Sequence, residues 1–117
     1  MSAKPDEVQR LSHILEAIER IYRFTEDMDF QKFKENEMAQ FAVIKNFEII
    51  GEATYQLSSE LKDKYRQVEW RKIAAFRHIL VHEYYQIDMA IVWNAREDRL
   101  EELKNQIEAI IEKERAD

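Results

Sequence analysis

A single glycine and a single proline in 117 residues leave this chain few means of making tight turns. Glycine supplies the positive-φ positions that hairpins need, and proline is the other strong punctuator of local structure. A strand-rich fold needs many such positions. Long helices joined by a few polar connections need hardly any. The length corresponds to about one domain and allows roughly two-thirds of the unfolded surface to be buried. Residues 1–117 are therefore read as one all-α domain, an antiparallel up-and-down bundle of four to five main helices.

Hydrophobic spacing places the helices. Val8, Leu11, Ile14, Leu15, Ile18, Ile21, Tyr22, Phe24 and Met28 recur mostly at steps of three and four, so a first helix is predicted over 5–28. Pro5 is tolerated in its first turn, where an N–H has no intrahelical partner. His13 lies beside this stripe and reads as a surface or boundary residue. Residues 29–35 read as a connector with a short turn carrying Phe30 and Phe33, and Asn36 as the N-cap of a helix running to about Ser58. Gly51 inside that helix costs about 1 kcal/mol relative to Ala, so it is read as a packing residue at the close approach of another helix. Glu48 and Glu52, one turn apart, read as solvated acids.

Residues 58–67 form the most polar connection, with a short helical turn. A third long helix starts between Val68 and Trp70, runs through the apolar Ile73, Ala74, Phe76, Leu80 and Val81, and frays near 84–86. Asp88 is the cap of a following helix that turns Met89, Val92 and Trp93 inward, and Asp98 with Glu101 resembles a capping box. Leu100, Leu103, Ile107, Ile110 and Ile111 make the last stripe, continuous with the preceding helix or kinked against it. The charged tail after Glu112 is expected to fray. The stripes are wide, which predicts that one of them serves a dimer interface.

Charge and composition exclude several classes. There is no cysteine, hence no disulfide or thiolate metal site, as suits a cytoplasmic protein. The polar N-terminus lacks a signal-peptide run, and charges interrupt every hydrophobic stretch before it reaches membrane-spanning length. A net charge of −6 argues against indiscriminate nucleic-acid binding. Between Lys62 and Arg77, however, six cations (Lys62, Lys64, Arg66, Arg71, Lys72, Arg77) face two acids (Asp63, Glu69). That local +4 leaves −10 for the remainder. A solvated helix face would account for the charge alone, but the segment leads directly into the most chemical stretch of the chain.

That stretch is Arg77-His78-Ile79-Leu80-Val81-His82-Glu83-Tyr84. A permanent cation, a group titrating near neutrality and a phenol suit work on a phosphodiester, because guanidinium neutralises charge on phosphate oxygens while imidazole moves a proton. Arg77 and Tyr84, seven apart, fall within roughly 20° of each other around a helix, and His78 and His82 share a face. Arg77 and His82 are separated by about 140°. They converge on one phosphate only if the helix loosens near His82 or a second subunit completes the site.

The spacing R-x4-H-x-Y, matched by Arg77, His82 and Tyr84, resembles the signature of the HepT-like family of the HEPN superfamily. The resemblance extends to Phe47-Glu48-Ile49-Ile50-Gly51-Glu52-Ala53, to Trp70-Arg71-Lys72-Ile73-Ala74, and to Tyr84-Tyr85-Gln86-Ile87-Asp88 followed by Val92-Trp93, and so covers essentially the whole chain. It implies a dimeric helical bundle and a metal-independent ribonuclease without cofactor, the toxin of a two-gene system, cleaving tRNA or mRNA and not DNA. It further implies a nucleotidyltransferase antitoxin that transfers AMP from ATP to the tyrosine. Arg77 and His82 would be catalytic and Tyr84 the AMP acceptor. His78 stands where the family often has Asn, and keeps a supporting polar role.

Two other readings compete. One is a non-catalytic helical module that binds a nucleotidyltransferase. The other is a metal site built on His78 and His82 with Glu83 or Glu48, although two histidines at this spacing lack the Glu of the H-E-x-x-H pattern.

Overall fold

The computed structural model describes residues 4–116. All regular structure among them is helical: α1 (Pro5–Phe24), α2 (Phe30–Lys34), α3 (Glu37–Gln56), α4 (Ser59–Lys64), α5 (Trp70–His82), α6 (Met89–Asp98) and α7 (Leu100–Ala116), with a 3₁₀ turn over Tyr84–Gln86. The all-α expectation holds.

Helix α1 begins on Pro5, with Asp6 and Glu7 in the first turn, where the helix dipole favours acids. Leu11, Ile14, Ala17, Ile18 and Ile21 lie wholly inside. Full burial of each aliphatic side chain of this size is worth about 1.5–3 kcal/mol. The helix stops four residues short of the expected Met28. The Thr25 hydroxyl donates to the Ile21 carbonyl at 2.7 Å, and Asp27 takes a left-handed φ of 63°. Asp29 then caps α2 by accepting from the Lys32 amide at 2.9 Å. This short helix drives Phe33 into the core against Trp93, ring centres 5.1 Å apart.

Asn36 caps α3 as expected, accepting from the Ala39 amide at 2.9 Å. Helix α3 packs against α1 on one side and α5 on the other. Its buried Asn46 accepts from Arg20 at 2.8 Å and donates to the Ala42 carbonyl. Ser58 caps α4 through the Leu61 amide, and its own amide donates to Glu7 at 2.6 Å, tying the first turn of α1 to the α3–α4 corner.

Helix α5 differs from expectation in two respects. It ends at His82, before the predicted fraying at 84–86, because the backbone leaves the helical region at Glu83. It also buries only Trp70 and Leu80, while Ile73 and Phe76 are half-covered and Ala74 and Val81 face solvent. Helices α6 and α7 are separate, with Arg99 as the joint. Asp98 closes α6 and so does not cap α7. The tail does not fray at Glu112: α7 continues to Ala116 because the Glu114 carboxylate, 3% exposed, meets Lys64 at 2.8 Å and the Tyr65 hydroxyl. No described helix is long and apolar enough to cross a membrane.

Candidate active site

The geometry is set where α5 crosses α3. Arg77 leaves α5 toward α3 and lies against Gly51. A Cβ placed on Gly51 would stand 2.4 Å from Arg77 Cβ, 2.7 Å from Cγ and 2.8 Å from Cδ. The single glycine of the chain thus clears room for the arginine side chain. The expected close approach is real, but what approaches is Arg77 rather than a bare backbone.

Beyond Gly51 the guanidinium reaches the next residue of α3. Arg77 Nη2 lies 2.9 Å from Glu52 Oε2, and Gln56 donates to the other oxygen of that carboxylate at 3.2 Å. Glu52 is therefore exposed, as expected of a solvated acid, yet it is also the counter-ion of Arg77. The sequence carried a signal for this, a glutamate directly after the lone helical glycine. Arg77 Nε is buried and meets no acceptor among the described residues. A buried donor left unsatisfied costs about 1–3 kcal/mol, so its retention calls for an explanation, of which a catalytic role is one. With 36% of its side chain exposed, the arginine is reachable from solvent.

His78 and His82 occupy the solvent face of α5, both exposed, with ring centres 4.4 Å apart and planes tilted by 47°. The one-turn spacing thus brings the two imidazoles together as expected. It does not bring His82 to Arg77. Because α5 stays helical through His82, the two remain about 140° apart around the axis, Arg77 turned toward α3 and His82 paired with His78. Loosening of the helix, one of the two conditions for convergence, is not met within one chain. Among the described residues no group of three or more His, Cys, Asp or Glu side chains could hold a metal ion.

Tyr84 opens the 3₁₀ turn immediately after α5; its side chain lies outside the described part of the structure. Several large apolar side chains on α3, α5 and the turn remain open to solvent. They include Phe41 and Tyr55 on α3, Ile79 and Val81 on α5, and Tyr85 in the turn.

Comparison with known proteins bears on this arrangement. The family model described as Ribonuclease HepT-like matches residues 14–110. A protein of Methanocaldococcus jannaschii named "Putative RNase MJ1380" is 32% identical over 108 residues, covering 92% of this chain and 99% of its own. One of Thermococcus cleftensis named "Probable ribonuclease HepT" is 35% identical over 100 residues, covering 86% and 91%. No solved structure matches the chain.

Proposed function

Since the chain belongs to the HepT-like ribonuclease family, we propose that it is a ribonuclease whose active site pairs Arg77 with His82 across two copies of the chain. The observation that carries this reading is Arg77 itself. It is laid over Gly51 and steered by Glu52, yet it keeps a buried Nε–H without an acceptor among the described residues. A phosphate oxygen is the acceptor that suits a guanidinium edge.

The chemistry is transesterification within the RNA. The 2′-oxygen attacks the adjacent phosphorus, its proton passing to an imidazole. A P–O bond forms to the 2′-oxygen as the bond to the 5′-oxygen breaks, and a proton is delivered to that leaving oxygen. A 2′,3′-cyclic phosphate and a 5′-hydroxyl result. His82 is one proton-transfer group, a role worth roughly 10²–10⁴-fold, and in this reading His78 is the other, which its ring contact with His82 supports. Arg77 stabilises the charge on the phosphorane. The step needs no metal, and DNA, lacking the nucleophile, is not a substrate. The physiological setting we propose is a toxin silenced when a partner nucleotidyltransferase transfers AMP to Tyr84. The added phosphodiester would compete with RNA for Arg77.

The test is cleavage of tRNA and mRNA by purified protein in excess chelator, wild type against His82→Ala. Cleavage carrying a cyclic phosphate and lost in the variant is the expected outcome. Absence of any His82-dependent cleavage would overturn the reading and favour a non-catalytic, nucleotidyltransferase-binding module.

A further inference from the structure

We propose that the concavity at the α4–α5 corner, lined by Lys62, Arg66 and Arg71, is a binding track for the ribose-phosphate backbone of RNA flanking the cleavage site. The inference rests on the ribonuclease reading and extends it to a second contact surface. It begins with where the basic segment's charge is spent. Lys64 is committed to the buried Glu114, and Lys72 to Glu69, which also takes Arg99. Arg66 and Arg71 are exposed, and their guanidinium groups have no ion-pair or hydrogen-bond partner among the described residues. Lys62 reaches only the Thr54 carbonyl at 3.2 Å and keeps its charge unneutralised. These three cations line one open concavity of about 680 Å³ together with a single unbridged acid, Asp63. On a chain of net charge −6, a hollow lined by Lys62, Arg66, Arg71 and Lys72 against Asp63 and Glu69, and so of net charge +2, runs against the overall field and suits a polyanion.

The hollow also leads to the candidate chemistry. Arg71, Ala75, His78 and His82 succeed one another at steps of four, three and four on α5, within roughly 60° of one face, and all four are exposed. Ala74 lines the hollow and is exposed as well. Two alanines between Arg71 and His78 leave that face low, so a strand can lie along the helix. The axial distance from Arg71 to His82 is about 16 Å, the reach of a few nucleotides. The track would hold a strand by its phosphates, contacts that position RNA without reading its bases.

The experiment uses 2′-O-methyl oligoribonucleotides, which bind but lack the nucleophile, alongside cleavable RNAs of matched sequence and increasing length. Variants are Arg66→Gln/Arg71→Gln and the same pair with Lys62→Gln. The double variant removes no described contact and guards against a folding artefact. Expected is weaker binding, with the slope of log K against log salt shallower by about 0.7 for each cation removed. KM for long RNAs should rise toward that for short ones, with kcat at saturation unchanged. Unchanged affinity and salt slope in both variants would overturn the track, as would loss of binding to a protein partner with RNA binding intact. Wild type that binds the uncleavable RNA through these cations but cleaves none would sustain the track and overturn the ribonuclease reading.

Discussion

Gly51→Ala is the sharpest probe of how the site is assembled. The new Cβ would stand 2.4 Å from Arg77 Cβ and under 3 Å from Cγ and Cδ, whereas ordinary carbon contacts lie at about 3.5–4.0 Å. Cγ and Cδ can swing away, but Arg77 Cβ is fixed to the α5 backbone. No rotamer relieves that contact, so α3 and α5 must separate by about 1 Å. Overpacking costs about 1–3 kcal/mol, and a clash without rotamer relief belongs at the upper end. Alanine's better helix propensity returns about 1 kcal/mol. The net loss is therefore about 1–2 kcal/mol. It should appear as a lower urea midpoint at unchanged slope, followed by circular dichroism. Partial recovery in an Arg77→Ala background would isolate the Cγ and Cδ share. Since Arg77 would also be displaced from Glu52 by about 1 Å, RNA cleavage should fall by about 10²-fold. A Gly51→Ala protein as stable as the parent, or more stable by the helix-propensity term, would refute the claim that α5 presses onto α3 through this arginine.

Other perturbations test other parts of the molecule. Tyr84→Phe should cleave RNA normally yet escape silencing on co-expression with a nucleotidyltransferase. Complete silencing of that variant, with no AMP adduct by mass spectrometry, would exclude modification as the control. Glu114→Ala removes the buried carboxylate that Lys64 and Tyr65 share. Because Lys64 is partly solvated, the loss is set at about 1–3 kcal/mol, and hydrogen exchange should show the last turns of α7 opening first. The hydrogen bond from Lys72, with the charges of Lys72 and Arg99, holds the Glu69 carboxyl below its ordinary value. A depressed carboxylate stabilises the fold above its unfolded pKa and loses that contribution as pH falls through the folded one. Carbon-detected NMR should thus find Glu69 titrating below the ordinary carboxylate value, and Lys72→Gln should move it back.

Helix identities were legible from spacing, because burial follows period: of the stripe read for α1, Leu11, Ile14, Ile18 and Ile21 lie inside, Val8, Leu15, Tyr22 and Met28 are partly covered and Phe24 turns to solvent, and Asn36 caps where a short polar side chain belongs. The misplaced boundaries depended on single long-range or conformational facts. The backbone leaving the helical region at Thr25 and turning left-handed at Asp27 ended α1 early, and Glu114 finding Lys64 and Tyr65 some fifty residues away kept α7 intact. Neither leaves a periodic trace. At the site, the spacing of His78 and His82 fixed their contact in advance. The pairing of Arg77 with Glu52 did not follow from any spacing, since it depends on which part of α3 lies beneath α5. Gly51 was the visible clue, a residue of poor helix propensity retained mid-helix, and its neighbour was the side chain to suspect.

The separation of Arg77 from His82 carries a prediction that turns on symmetry. With α5 helical to His82, one chain presents the guanidinium toward α3 and the imidazole on another flank, so a joint site needs a second copy. Ile79, 41% exposed, lies about 60° around α5 from His82, and burying it on a two-fold axis would bring the paired helices together. If each site takes Arg77 from one copy and His82 from the other, Arg77→Ala and His82→Ala proteins are separately inactive but complement when mixed. Random exchange at equal amounts makes half of the dimers hybrid, each with one intact site of two, so about a quarter of wild-type activity should return. The measurement is RNA cleavage after subunit exchange, against each variant alone. An Ile79→Lys change in both chains should abolish the recovery and yield monomer in sedimentation. No recovery from verified hybrid dimers would place both groups in one chain's site, and the regular helix through His82 would then have to break on binding RNA.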